Sequence, residues 1–244
     1  MRNSFPILLL FVLLTGCISS TPETAENRAA IPVSKRGEWT RYHQEIVAKL
    51  KPDAELVLIG NSIFQGLDNE ACAEIWEKYL NQYQAGNLGI SGDRTENVIW
   101  RLQNGALENI HPKVALILIG TNNTDGNHYL KISSAEELEG AIWKICEIIN
   151  ETLPDTKILL MGILPYGYKE NHRNNINKAT NALISQFPER DPDIHYIDIG
   201  DVYLDDEGKV KRELMPDFLH PNPEGYLRMF EALEDEIARL MVGN

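Results

Sequence analysis

The sequence predicts one α/β domain: a three-layer α/β/α sandwich around a five-stranded parallel sheet. Five strand-like segments alternate with helices, and the plainest of them, Leu56 to Ile59 and Val114 to Ile119, lack the polar alternation of a half-solvated strand, as expected of strands buried on both faces. The segments between them repeat apolar residues at three and four positions, the spacing of amphipathic helices in βαβ units. Small polar residues gather just after the apolar runs, on the edge where a parallel sheet brings together residues distant in sequence.

At the N-terminus, Arg2 precedes an apolar stretch from Phe5 to Leu14, too short to span a membrane as a stable helix. This charge-then-apolar layout is that of a secretory signal. Leu14-Thr15-Gly16-Cys17 resembles the bacterial lipobox, whose cysteine is lipidated and becomes the first mature residue. Residues 1–17 are therefore expected to be a lipoprotein signal; the alternative is an ordinary signal peptide with an incidental cysteine. Residues 18–34 have no apolar periodicity and read as a flexible tether, leaving residues 35–244 as the folded domain. The expectation is an exported protein of the bacterial cell envelope that meets the membrane through its lipid anchor only.

Lys35 to Lys51 reads as a helix, with Trp39, Tyr42, Ile46, Val47 and Leu50 on one face. Leu56-Val57-Leu58-Ile59 is the first strand, and Gly60-Asn61-Ser62 after it sets a hydroxyl at the mouth of the sheet. A helix is expected from there to about Leu80. A second strand over Ala85 to Leu88 leads into Gly89-Ile90-Ser91-Gly92, and Asp93 with Glu96 marks the start of a helix over Arg94 to Leu102. Val114 to Ile119 is the third strand, ending in Gly120-Thr121-Asn122-Asn123. Ser134 and Glu137 form a capping-box pattern before a long helix that buries Leu138, Ala141, Ile142, Ile145 and Ile149. Lys157 to Ile163 and His195 to Ile199 are the last strands, separated by a helix over Asn171 to Phe187. Asn222 as cap and Pro223 at the first helical position open a final helix with Tyr226, Met229, Phe230, Leu233, Ile237 and Leu240 inward.

Hydrophobic and charged fractions of 43% and 24% suit a soluble globular domain. A net charge of −13 with no Lys/Arg run argues against a nucleic-acid or anionic-membrane partner. Cys72 and Cys146 fall in helix-like segments and read as buried free thiols, although their spacing leaves a disulfide open. His43, His111, His128, His172 and His195 have no partner at metal-ligand spacing, so no metal site is expected. Trp100 and Trp143 read as core, Asp125, Asn127 and His128 as a solvated loop, and Tyr166 and Tyr168 as the border of a pocket.

The polar residues at the strand ends contain what acyl transfer requires. Ser62 is a weak nucleophile until a base takes its proton. His220 suits that task near neutral pH, and Asp217, three residues earlier, can orient its ring. The N–H groups of Ser62 and Gly92 and the Asn122 amide could supply an oxyanion hole. The Gly-x-Ser-x-Gly elbow of α/β-hydrolases is absent, because Phe64 stands at its second glycine.

Four blocks in order resemble the SGNH (GDSL-like) hydrolases. They are Gly60-Asn61-Ser62, Asn87-Leu88-Gly89-Ile90-Ser91-Gly92-Asp93-Arg94-Thr95, Ile119-Gly120-Thr121-Asn122-Asn123 and Met215-Pro216-Asp217-Phe218-Leu219-His220. With Val98-Ile99-Trp100-Arg101-Leu102-Gln103-Asn104-Gly105 and Gly162-Ile163-Leu164-Pro165, they look most like the platelet-activating-factor acetylhydrolase branch of that family and its bacterial relatives. The resemblance implies a flavodoxin-like parallel sheet and a serine esterase that forms an acyl-enzyme without metal or cofactor. It implies catalytic Ser62, Asp217 and His220, and an oxyanion hole from Ser62, Gly92 and Asn122. For an exported bacterial protein, an acetylated carbohydrate or other small ester is the expected substrate. A phospholipid-type ester and a catalytically degenerate glycan-binding lipoprotein are the alternatives. The first block departs from the family's usual Gly-Asp-Ser: Asn61 keeps the size and acceptor oxygen of the aspartate and loses its charge.

Overall fold

The computed structural model describes residues 26–242. Five parallel strands lie in the order β2-β1-β3-β4-β5: β1 (Leu56–Gly60), β2 (Gly86–Gly89), β3 (Val114–Leu118), β4 (Lys157–Met161) and β5 (Ile194–Ile197). All four pairings are parallel and in unbroken register, from Gly60 against Gly89 and Leu118 to Met161 against Ile197. This order reverses direction at β1 and β3, the position at which open α/β sheets form a ligand crevice beyond their C-terminal ends.

The apolar runs bury both of their faces, as their sequences require. Leu56 and Leu58 join Leu116 and Leu159 under α3 (Ala73–Tyr79) and α8 (Pro223–Met241), which contribute Ile75, Tyr79, Tyr226, Met229, Phe230 and Leu233. Val57 and Ile59 face the other way with Ile117 and Leu160. There they meet α1 (Glu38–Lys49), α4 (Thr95–Arg101) and α5 (Ala135–Thr152), with Ile184 of α6 (His172–Ile184) and Phe187 of α7 (Phe187–Arg190) beside them. Cys72 and Cys146 are buried and unbridged, one in each cluster.

Two helix starts match their sequence signals. Ser134 and Glu137 exchange the side-chain and backbone bonds of a capping box, and the Asn222 side chain caps Gly225 with Pro223 at the first turn.

Three expectations need correction. The helix after Ser62 does not run unbroken to Leu80: α2 (Ser62–Gln65) gives way to two short turns before α3. Asn69 stops the chain there by capping Ala71 with its side chain, a local bond that competes with a continuous helix. Asp93 is not the cap of α4. Arg94 occupies that position, its N–H donating to Asn97 Oδ1 at 3.0 Å, while the Asp93 carboxylate is turned inward. Residues 27–33, assigned to the tether, pack on the domain instead. Ala29 is buried, its carbonyl accepts from Thr95 Oγ1 (2.8 Å), Asn27 Nδ2 donates to Glu137 (2.8 Å), and Val33 exchanges bonds with Glu96 and Asn97. Polar composition hid this attachment, because it is made by hydrogen bonds to side-chain and backbone groups of α4 and a backbone carbonyl of α5, all far along the chain. Cys17 and the expected signal lie outside the described residues.

Candidate active site

Ser62 follows the C-terminal end of β1, where Gly60 and Asn61 turn the chain into α2. Asn61 is buried, and its Oδ1 accepts from the N–H of Ile63 at 3.0 Å, so it caps the turn that carries the nucleophile candidate. As the first residue of α2, Ser62 has an N–H with no intrahelical acceptor. The end of β2 presses against this turn. A Cβ on Gly89 would stand 2.5 Å from the Gln65 nitrogen and 2.8 Å from the Asn61 carbonyl, so only glycine fits.

Ser62, Asp217 and His220, predicted from the sequence, come together. Ser62 Oγ lies 2.9 Å from His220 Nε2, and His220 Nδ1 lies 2.6 Å from Asp217 Oδ2. A carboxylate only accepts, so it fixes the ring proton on Nδ1 and leaves Nε2 to accept from the serine hydroxyl. The loop is shaped for this pairing. Phe218 adopts φ +59°, a left-handed conformation costly for a bulky residue, between Asp217 and His220. That turn lets Asp217 Oδ1 accept from the N–H of Leu219 (3.1 Å) and of His220 (2.7 Å). Partial burial opposes the charged form of Asp217. The bonds from the His220 backbone and ring, the His220 charge and the Leu219 N–H outweigh it, and its pKa falls below the usual carboxylate value. A depressed carboxylate contributes stability in full above its unfolded pKa and loses it as pH falls through the folded one. Asp217 is therefore ionised across the range in which His220 can act as a base.

Helix α8 holds this loop over the serine. Tyr226 Oη donates to the Ile63 carbonyl at 2.6 Å, and Tyr203 Oη donates to the Gly225 carbonyl at 2.9 Å. Beside Ser62 and His220 opens a pocket of about 270 Å³ floored by Gly66, Ala71, Cys72 and Tyr226.

The other candidate oxyanion donors lie on the loops after β2 and β3. Gln65 Oε1 accepts from the Ser91 N–H at 2.7 Å, tying the Gly92 loop to the nucleophile turn. Gly92 has φ +72°, where a side chain would be strained. Asn122, buried after β3, donates from Nδ2 to the Asp93 carbonyl at 2.9 Å, and this bond orients its amide. Its neighbour Asn123 bonds to Thr95 and Glu96 and locks the same loop to α4.

Sequence reasoning missed what lies beneath. Arg101 of α4 is almost wholly buried and fans out to three partners: Asp93 Oδ2 at 2.8 Å, the Leu88 carbonyl at 2.7 Å and the Gly60 carbonyl at 3.1 Å. Asp93 also accepts from Lys35 Nζ (3.0 Å) and Trp39 Nε1 (2.7 Å). One guanidinium thus joins the ends of β1 and β2 to the residue whose carbonyl holds Asn122. The available signal was an arginine on the apolar face of a predicted helix beside Val98, Ile99 and Leu102. Asp125 likewise departs from expectation. It is buried, not solvated, and bonds to His128 (2.7 Å) and pairs with Arg173 (3.5 Å).

The Asn61 Nδ2 group is buried without an acceptor among the described residues, a position where the family's usual carboxylate would present no donor. Asn61→Asp keeps the capping oxygen and is expected to hold kcat/KM on a soluble ester within about fivefold of the native value, a fraction of the cost of a lost oxyanion donor. A fall of a hundredfold or more would mean that the uncharged amide is needed.

A hydroxyl, a ring base, a carboxylate and amide donors on one sheet edge can perform nucleophilic acyl transfer. The GDSL-like Lipase/Acylhydrolase family matches residues 58–228, a span that includes every one of these groups. The chain is 32% identical over 222 residues to platelet-activating factor acetylhydrolase IB subunit alpha1 of Homo sapiens, covering 88% of this chain and 92% of that one. It is 33% identical over 221 residues to subunit alpha2 of Rattus norvegicus, again covering 88% and 92%. A solved GDSL-like lipase from Bacteroides thetaiotaomicron shares the fold with a TM-score of 0.63 at 21% identity, covering 82% of this chain and 97% of that chain. This chain belongs to the GDSL-like lipase/acylhydrolase family and is a carboxylic ester hydrolase.

Proposed function

We propose that the protein removes short acyl groups, acetyl above all, from ester substrates through an acyl-enzyme on Ser62. The hydrogen-bonded line from Ser62 through His220 to Asp217 carries this reading. His220 Nε2 takes the serine proton as Oγ attacks the ester carbon. The tetrahedral oxyanion is held by the N–H groups of Ser62 and Gly92 and the second hydrogen of the Asn122 amide. The imidazolium then protonates the departing alcohol, and water repeats the sequence in reverse to release the acid. None of these steps calls on a metal or cofactor. The small residues Gly66, Ala71 and Cys72 beside Ser62 suit a short acyl chain, and the 32% identical human relative is by name an acetylhydrolase.

For the alcohol, acetylated carbohydrate is the reading favoured by an exported protein, with Tyr166 and Tyr168 beyond β4 offering ring faces to a sugar. The names of the mammalian relatives favour a second reading, an acetylated phospholipid. Rates on acetyl, butyryl and octanoyl esters of one chromogenic alcohol, then on acetylated xylan, acetylated monosaccharides and an acetyl phospholipid, separate these. The reading requires the acetyl ester to be fastest and an acetylated glycan to outpace the lipid. Equal or faster octanoyl hydrolysis would remove the short-chain assignment.

Lipidation of Cys17 completes the proposal, on the strength of the Leu14-Thr15-Gly16-Cys17 stretch. Native protein expressed in a bacterium is expected to stay in the membrane fraction through a high-salt wash, and Cys17→Ser protein is expected to be released by it. Since one acyl chain anchors only marginally, mass spectrometry should find more than one on the mature N-terminus. An unmodified terminus would leave a secreted protein.

A further inference from the structure

Two of the exposed large apolar side chains, Val33 and Leu130, lie within one stretch of surface, where Leu130 projects fully into solvent. Val33 and Leu130 line a largely apolar groove of about 620 Å³ together with Arg28, Lys35, Arg94 and Lys131. Glu96 is the one carboxylate of that lining, and it is paired with Arg94 at 2.6 Å. Lys35 is paired with Asp93 at 3.0 Å, so among the described residues Arg28 and Lys131 are the lining cations with no carboxylate partner, and they flank apolar side chains on a chain of net charge −13. Protruding apolar groups flanked by cations match the chemistry of an anionic lipid surface, with acyl boundary for the one and headgroup phosphates for the other.

The position agrees. Arg28, in the first turn of the described residues, lines the groove. The lining also carries Tyr129, whose Oη donates to the Gly92 carbonyl at 2.8 Å, so the groove borders the loop of the candidate oxyanion donors.

We propose that this face docks on the surface of an anionic phospholipid bilayer, with Leu130 and Val33 entering the acyl boundary and Arg28 and Lys131 meeting phosphates. The contact is separate from any lipid on Cys17 and orients the domain with the Gly92 side of its cleft toward the membrane.

Amide hydrogen exchange of the full-length Cys17→Ser protein tests this with vesicles of phosphatidylglycerol and, in parallel, of phosphatidylcholine. Residues 128–133 and 31–35 are expected to slow on phosphatidylglycerol vesicles alone, and the protection is expected to fade in high salt. Leu130→Glu/Lys131→Glu, which makes the local charge three units more negative, should weaken that local protection at least about tenfold, at roughly fivefold per unit of charge. Hydrolysis of a water-soluble ester should be unchanged by the double substitution. Unaltered exchange with phosphatidylglycerol, or equal protection on both vesicles, would overturn the proposal. So would protection present without vesicles and lost on deleting residues 5–14, which would assign the groove to the chain's own N-terminal segment.

Discussion

Replacing Ser62 with alanine is expected to lower kcat on a short-chain ester by about 10⁴–10⁶-fold, with KM and the unfolding transition nearly unchanged. The side chain is only partly buried and its Oγ bonds to His220 alone, so its loss opens no core cavity. It does remove the one group to which the acyl chain would be attached. His220→Ala should cost about as much, since residues that act as one unit do not contribute additively. Asn122→Ala should be milder, on the order of 10²–10³ in kcat, as for the loss of one of several oxyanion donors. Steady-state kinetics on purified variants check all three. Near-native hydrolysis by Ser62→Ala would end the nucleophile assignment, and an unchanged rate in Asn122→Ala would take that amide out of the oxyanion hole.

Arg101→Met should be the most destabilising single change near the site, by about 3–5 kcal/mol, because it strands Asp93 as a buried charge. Lys35 keeps one bond to that carboxylate and is itself partly exposed, which places the expectation at the lower end of the range. The Leu88 and Gly60 carbonyls lose their guanidinium donors at the same time. A Tm lowered by on the order of 10 °C is the corresponding thermal shift. The rate should fall as well, since the Asp93 carbonyl that orients Asn122 is set by this pair. Asp93→Asn/Arg101→Met, which removes both charges, should recover much of the stability, because a buried pair costs desolvation that an apolar replacement avoids. Thermal and denaturant unfolding of the two variants decide it. A loss under about 1 kcal/mol in Arg101→Met would show the ends of β1 and β2 to be held by strand pairing and packing alone.

Apolar runs buried on both faces made β1, β3 and β4 legible, β2 and β5 were readable from their spacing between helices, and the polar residues at the strand ends marked one edge of the sheet. Ser134 with Glu137 and Asn222 with Pro223 were readable because both partners of each bond lie within a few residues. Asp93 and Glu96 show the same spacing yet form no cap. The carboxylate is claimed by Arg101, eight residues away and within the core, and a local pattern carries no information about that competition. The attachment of residues 27–33 was hidden for the same reason, since its partners Thr95, Glu96, Asn97 and Glu137 lie far along the chain. The left-handed Phe218 could not be read either. A bulky aromatic is the last residue expected at positive φ, and only the demand that Asp217 accept from two successive N–H groups explains it.

Trapping the acyl acceptor tests the account most directly. The protein is incubated with a fluorescent alkyl phosphonate that esterifies activated serines, then digested and mapped by mass spectrometry. One adduct per chain is predicted, on the peptide containing Ser62, with activity lost in proportion and with little labelling in His220→Ala. An adduct on another serine, or full inactivation while Ser62 stays free, would contradict it.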